Sequence, residues 1–414
     1  MHRVLLSSLT VVVVLGVMAT AAATSTTEVG ITPKTVTIGA TFPLTGPASS
    51  YGVIPAAFKA YIAYVNAGRG PDGKRGVGGR QIVFKYYDDG YNPATSIQNV
   101  RQLVEQDKVF AIVGALGTDV NIAIRPYLNA NKVPQLFAAS GATTFGRDTK
   151  DWPWTIGYQP NYQFEGRIYG AKIAKNSPNA KIAVLYQNDE FGKDLLQGLE
   201  SGLGARASNI VGKEPYEVTA PDVKSQIAKL RATGANVFMI FATPKFAVQA
   251  YAIANGLNWS PDVIYTTGVT ANAVILSLAQ QSGGGALVNR TLTYQYAKDP
   301  ANPVWDEDAG MMLYRKVLAK YAPGLDSRNY FNLYGVGTAE AFVQLLRKTG
   351  PNPTRAGLMK AVRSWNEKNP FLLPGNRQKT GPGDQFPISC VEIVRFTNGL
   401  LSRVSQLQCE APTP

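Results

Sequence analysis

Histidine is all but missing from this 414-residue chain: the single one is His2. Cysteine is scarce too, with two, and charged residues make up only 17% of the total. Once the N-terminus is removed, no histidine remains for a Ser-His-Asp or Cys-His nucleophile, or for a histidine-ligated zinc or iron site. Neither a metal nor a cofactor is therefore expected. The low charge stands beside 45% hydrophobic content, which excludes a disordered chain. The net charge is +13, but the basic residues are scattered, as at Lys172, Lys175, Arg347 and Lys348. A nucleic-acid surface gathers them on one face among aromatics, so no such partner is expected. The length points to two domains, since single cores seldom grow past about 250–300 residues.

Only one apolar run is long. Val4 to Val17 follows Arg3 without a charge and leads into Ala19-Thr20-Ala21-Ala22-Ala23. This is the layout of a secretory signal peptide over residues 1–23, cleaved after Ala21 or Ala23. About 14 apolar residues fall short of the roughly 20 that span a bilayer. No cysteine adjoins the cleavage region to carry a lipid. The expectation is a soluble protein outside the cytoplasm.

The two cysteines lie near the C-terminus, where Cys390 to Phe396 reads as a strand. Asn398-Gly399 is a strong hairpin signal, and a return strand follows through Leu401, Val404 and Leu407. Cys390 then faces a position near 407, within about two residues of Cys409. In an oxidising compartment a disulfide between Cys390 and Cys409 is expected, with two free thiols as the alternative.

From Thr35 onward, short apolar strands alternate with amphipathic helices, and the cycle restarts after Trp152-Pro153-Trp154. The pattern predicts strands over 36–42, 81–87, 110–113 and 133–138, with a helix from Tyr51 to Asn66. A second run places strands at 181–186, 211–218, 237–241 and 263–266. Helices over 303–321, 331–348 and 354–365 precede the hairpin. Such alternation indicates α/β architecture with parallel sheets covered on both faces, in two doubly wound lobes joined near Thr155.

In open α/β sheets, ligands bind beyond the carboxyl ends of the strands. Two loops occupy such places: Gly114 to Asp119, and Ala139 to Thr144. Both combine small residues, free backbone N–H groups and hydroxyls, a surface suited to a carboxylate. Neither has the Gly-x-x-x-x-Gly-Lys-Ser/Thr phosphate pattern or a Gly-x-Ser-x-Gly elbow.

In order and spacing, a set of landmarks resembles the periplasmic solute-binding proteins of branched-chain amino-acid ABC transporters. They are Thr37-Ile38-Gly39, Leu44-Thr45-Gly46-Pro47, Tyr51-Gly52, Tyr87-Asp88-Asp89, Val113-Gly114, Val133-Pro134, Ala139-Ser140-Gly141 and Asp189-Glu190-Phe191-Gly192. The resemblance implies the type I periplasmic binding fold, two lobes on a three-segment hinge, and no catalytic activity. Residues 27–155 plus 296–388 would form the first lobe, and 156–295 plus 389–414 the second. Carried over, the first lobe's ligand loops fall on Leu116-Gly117-Thr118 and Ala139-Ser140-Gly141, and Tyr51 would cover the ligand. In the second lobe Tyr162, Phe191, Phe241 or Thr243, and Gly268-Val269 fall at contact positions, with Tyr334 near the hinge. The implied partners are a small ligand and a membrane permease, with a monomer as the family state.

One position departs from the family pattern. Aliphatic amino-acid binders place a second-lobe carboxylate against the ligand's ammonium, and Gly268 stands there in this chain. A buried ammonium without a counter-charge is expensive. The expected ligand is thus an aromatic or aliphatic carboxylate, and after it a hydrophobic amino acid with Asp119 or Glu190 as counter-charge. Other classes are a ligand sensor docking on a membrane receptor, or an exported hydrolase built on Asp88-Asp89.

Overall fold

The computed structural model describes residues 28–70 and 72–411. The expected signal peptide, 1–23, lies outside these residues, as do residue 27 and residues 412–414. The first half alternates strictly: β1 (Thr35–Phe42), α1 (Ile54–Tyr64), β2 (Gln81–Asp88), α2 (Pro93–Glu105), β3 (Ala111–Val113), α3 (Thr118–Ala130), β4 (Gln135–Ala138), α4 (Thr144–Arg147) and β5 (Thr155–Gly157). Its strands form one sheet in the order β2-β1-β3-β4-β5, parallel throughout. The chain winds outward in both directions from β1 and β3, so the loops after these two strands flank a switch point.

The second half continues through α5 (Tyr162–Asn176), β6 (Ile182–Gln187), α6 (Glu190–Leu203), β7 (Ile210–Tyr216), α7 (Lys224–Ala232), β8 (Val237–Phe241), α8 (Pro244–Gly256), β9 (Val263–Thr266), α9 (Ala273–Ala279) and β10 (Thr291–Gln295). Then come α10 (Ala309–Tyr321), α11 (Tyr330–Lys348), α12 (Arg355–Val362), a small pair of β11 (Asn366–Glu367) and β12 (Gln378–Lys379), and finally β13 (Cys390–Thr397), β14 (Leu400–Arg403) and β15 (Gln408–Cys409). The second sheet runs β14-β13-β10-β9-β8-β6-β7, with β15 also on β13. Two α/β lobes result, and three stretches cross between them: β5 to α5, β10 to α10, and β12 to β13.

The late helices return to the first lobe. On α11, Gly335 lies so near α1 that an added Cβ would stand 2.4 Å from the Ile54 carbonyl oxygen. The Tyr61 hydroxyl donates to Glu340 across the same contact. Arg355 at the start of α12 donates to the carbonyls of Val109 and Phe110 beside β3, at 2.8 and 3.0 Å.

Helices α5 and α6 touch through glycine. A Cβ on Gly166 or Gly170 of α5 would meet the carbonyl oxygens of Leu195 or Leu199 at 2.2 and 2.4 Å. Gly198 and Gly202 of α6 stand equally close to Gln163 and Arg167.

Several expectations need correction in detail. Tyr51 sits in a short 3₁₀ turn, Ser49–Tyr51, ahead of α1 and not inside a helix from 51 to 66. The helix expected from 303 begins at Ala309, because Asp308 caps it by accepting from the Met311 N–H. Strands β5 and β10 were not foreseen; Thr291-Leu-Thr-Tyr-Gln is wholly buried yet lacks the apolar run that marks other central strands.

The hairpin forms about Asn398 and Gly399, both with positive φ (47° and 85°), as a type I′ turn requires. Beyond Arg403 a bulge breaks the register, since the N–H groups of both Val404 and Ser405 donate to the Ile393 carbonyl. Cys390 therefore faces Cys409, not a residue near 407, and the two form a disulfide. Closing a loop of 19 residues' separation contributes about 3 kcal/mol in the chain-entropy account. Replacing both cysteines by serine should lower denaturant stability by that order, and a reductant should do the same to the native chain but not to the variant.

Candidate functional site

The loops after β3 and β4 are zipped together at the switch point. Leu116 and Ala139 form an isolated parallel bridge, with Ala139 N–H donating to the Ala115 carbonyl at 2.9 Å. Asn121 braces the first loop from α3, donating to the carbonyls of Ala115 and Gly117 at 2.7 and 2.8 Å. Gly117 has φ of 109°, and a Cβ there would lie 2.8 Å from the Tyr91 ring, so only glycine fits. No side chain caps the N-terminus of α3, which begins at Thr118. The hydroxyls of Thr118 and Ser140 stand 2.8 Å apart.

The opposing wall comes from the second lobe. Tyr162 opens α5 and Phe191 lies in the first turn of α6, with ring centroids 5.1 Å apart at 64°. Asp189 caps α6 by accepting from the Gly192 N–H. Thr243 precedes α8, and its N–H donates to the Tyr216 hydroxyl at 3.1 Å. Gly268-Val269 follows β9. The lobes meet over the cleft: Tyr51 donates to the Val269 carbonyl at 3.2 Å, the Thr143 N–H to Asp194 at 2.6 Å, and Asn272 to Asn329 at 2.8 Å.

Two adjoining chambers lie between the walls. The outer one is lined by Tyr51, Tyr91, Leu116, Gly117, Thr118, Ala139, Gln159, Tyr162, Phe191, Thr243 and Val269. The inner one shares Tyr51, Leu116, Gln159 and Val269 and adds Ile54, Gly268, Tyr294, Tyr296, Tyr330, Phe331 and Tyr334. No acidic or basic side chain among the described residues lines either chamber.

Of the residues singled out from sequence, all but Ser140, Gly141 and Phe241 line these chambers. Ser140 lies just behind, bonded to Thr118. Gly141 is wedged against the Pro160 carbonyl and the Tyr162 ring. Phe241 is fully buried in the second lobe's core, and Thr243, two residues on, faces the cleft instead. The proposed counter-charges are elsewhere: Asp119 and Glu190 are both exposed and line neither chamber. Asp88 and Asp89 hold turns. Asp88 accepts from the N–H groups of Leu44, Thr45 and Gly90, and Asp89 from Thr41 and the Tyr91 N–H.

Sequence reasoning missed Tyr91, Gln159 and the cluster of inner aromatics. For Tyr91 a signal existed, since Asp89-Gly90-Tyr91 follows a strand end beside the β1 loop. Tyr294, Tyr296 and Tyr330 gave none; their position depends on the unforeseen β10 and on long-range packing.

A buried carboxyl, Glu165, stands behind Gly268. It accepts from the Gly268 N–H at 2.8 Å and the Thr267 hydroxyl at 3.2 Å. Burial outweighs those bonds and pushes its pKa up to about 8. The space in front of Gly268 is taken: a Cβ there would lie 2.4 Å from the Tyr294 ring. Tyr294 thus fills the place that an acidic side chain at 268 would occupy.

Two lobes that meet over a cleft lined by no acidic or basic side chain are the architecture of a protein that binds between its lobes. The chain belongs to the periplasmic binding protein family, whose model matches residues 35–399. A Leu/Ile/Val-binding protein homolog (homolog 3) from Brucella melitensis is 25% identical over 205 residues, 49% of this chain and 53% of that protein. The match thus spans about half the length of that relative. A fatty acid ABC transporter substrate-binding protein from Thermomonospora curvata superposes with a TM-score of 0.75 at 21% identity, over 94% of this chain and 97% of that one. A branched-chain amino acid ABC transporter protein from Thermus thermophilus with bound valine gives 0.75 at 16% identity, over 91% and 97%. At these identities the likeness shows the fold. No helix among the described residues is long and apolar enough to cross a membrane.

Glu165 generates a test by titration. Folded, it keeps its proton to about pH 8, whereas the ordinary glutamate value is 4.5. Between these values the unfolded chain binds fewer protons, so this contribution is full below 4.5 and is lost as pH rises toward 8. Asp189, pushed up by burial to about 6, adds the same sign at lower pH. Urea melts in steps from pH 6 to 8 should show E165Q losing less stability than the native chain, by up to about 1.4 kcal/mol per pH unit.

Proposed function

We propose that this chain is the exported solute-binding component of an ABC importer, and that it captures a small apolar or aromatic carboxylate by hinge closure. One observation carries the ligand class: neither chamber is lined by a charged side chain. An α-amino acid would bring a buried ammonium with no charged side chain in the lining to meet it, which is costly. A carboxylate has partners in the outer chamber. The uncapped N-terminus of α3 supplies N–H groups and the positive end of its dipole, and Thr118 and Tyr162 supply hydroxyls. The apolar body would then lie between Tyr51, Phe191 and Val269. Of the two transporter proteins that share the fold, the fatty-acid carrier is the better chemical analogue of this chamber.

Closure follows from the same contacts. A ligand touching both walls favours the closed arrangement by its extra affinity for it. The three crossings between the lobes are the segments whose backbone angles would absorb the motion.

The test is a thermal-shift panel on protein unfolded and refolded to strip bound ligand. Benzoates, cinnamates and short fatty acids should raise the melting temperature by several degrees, as about 2.7 kcal/mol at 100 times Kd implies. Leucine, valine and phenylalanine should not; a shift by these alone refutes the ligand class. Substituting Thr118→Val should weaken binding of a responding acid by about 1.5–3 kcal/mol, roughly tenfold to a hundredfold.

A further inference from the structure

The inner chamber contains two hydroxyls that the protein leaves unsatisfied. The hydroxyl groups of Tyr294 and Tyr334 are buried and without a hydrogen-bond partner. Both residues wall the inner chamber, and no other residue lining either chamber, among those described, has such an atom. A buried polar group is normally paired, so two orphans on one cavity wall are a signal.

The far end of the Tyr294 ring stands against Gly268, so near that an added Cβ would lie 2.4 Å from it. Glu165 is next to it and accepts from Gly268 and Thr267, and the Tyr294 hydroxyl makes no well-aligned hydrogen bond to it. Around Tyr334 the neighbour is the Tyr158 ring, edge-on at 5.9 Å. The Thr338 hydroxyl donates to the Tyr334 backbone carbonyl and makes no well-aligned hydrogen bond to the Tyr334 hydroxyl. The two phenols also belong to opposite sides of the cleft: Tyr294 is on β10 in the second sheet, and Tyr334 is on α11, which packs against α1.

We propose that the ligand is two-ended, and that Tyr294 and Tyr334 bind a neutral oxygen, hydroxyl or carbonyl, on the end remote from its carboxylate. This rests on the outer chamber being the carboxylate end. An oxygen held by both phenols ties the lobes together, so the group that satisfies them also favours closure. An acid with a plain hydrocarbon end strands both hydroxyls and binds more weakly, the asymmetry expected of a site built to hydrogen-bond.

The experiment is calorimetric titration of refolded protein with matched pairs: 4-hydroxycinnamate and cinnamate, 4-hydroxybenzoate and benzoate, 6-hydroxyhexanoate and hexanoate. In at least one pair the oxygen-bearing acid should bind about tenfold tighter, or about 1.4 kcal/mol. In Y294F and in Y334F that ratio should shrink, and in the double variant vanish. Ligand-free melting temperatures of these variants should stay level or rise, because an unpaired buried hydroxyl has been removed. Equal affinities within every pair overturn this inference while leaving the carboxylate reading intact, and so does a ratio that survives in the double variant. If amino acids bind and no acid in the set does, the carboxylate reading falls and this inference falls with it. The native protein's ratios decide the matter even if a variant folds poorly.

Discussion

Helices α5 and α6 meet backbone to backbone, because Gly166, Gly170, Gly198 and Gly202 put no side chain between them. That contact sets the second wall of the cleft. Tyr162 and Phe191 lie in the first turns of these two helices, and their rings stand against each other. A methyl group at any of the four glycines would drive the helices apart, and the outer chamber would widen before any residue in it had changed. Packing several residues from the ligand thus fixes a dimension of the binding space.

Charge is excluded from that space in a consistent way. The carboxylates near it are either tied into turns, as Asp88 and Asp89 are, or buried and shifted upward, as Glu165 and Asp189 are. Glu165 holds the Gly268 loop by accepting its N–H, while the Tyr294 ring blocks any side chain from position 268. Recognition is left to hydroxyls, a side-chain amide, backbone N–H groups and aromatic faces. These distinguish ligands by what they leave unsatisfied more than by net attraction.

Much of the fold was legible because it is local. Strand and helix alternate with clear periodicities, and the bounds of β1, β8 and β9 were readable almost to the residue. Strand β10 escaped, since Thr291-Leu-Thr-Tyr-Gln is buried by its neighbours and not by its own apolarity. The disulfide was legible as a pairing but not as a register, because the bulge after Arg403 moves the partner two places. In the site, the strand-end loops could be found from topology and their small residues. The inner chamber could not, since its tyrosines come from β10 and α11, far apart in sequence and joined only by tertiary packing.

Neither lobe is a continuous stretch of chain. The first sheet is finished by Gly157, yet α11 and α12, which cover it, begin only at Tyr330 and Arg355. The second sheet has β10 exposed at its edge until β13 arrives to pair with it, from Cys390 onward. During synthesis the first lobe therefore stays unfinished until the segment from Tyr330 has emerged, and the second until the segment from Cys390 has. The final hairpin and its disulfide act late, as the step that closes an open sheet edge and removes a surface prone to pairing with another chain.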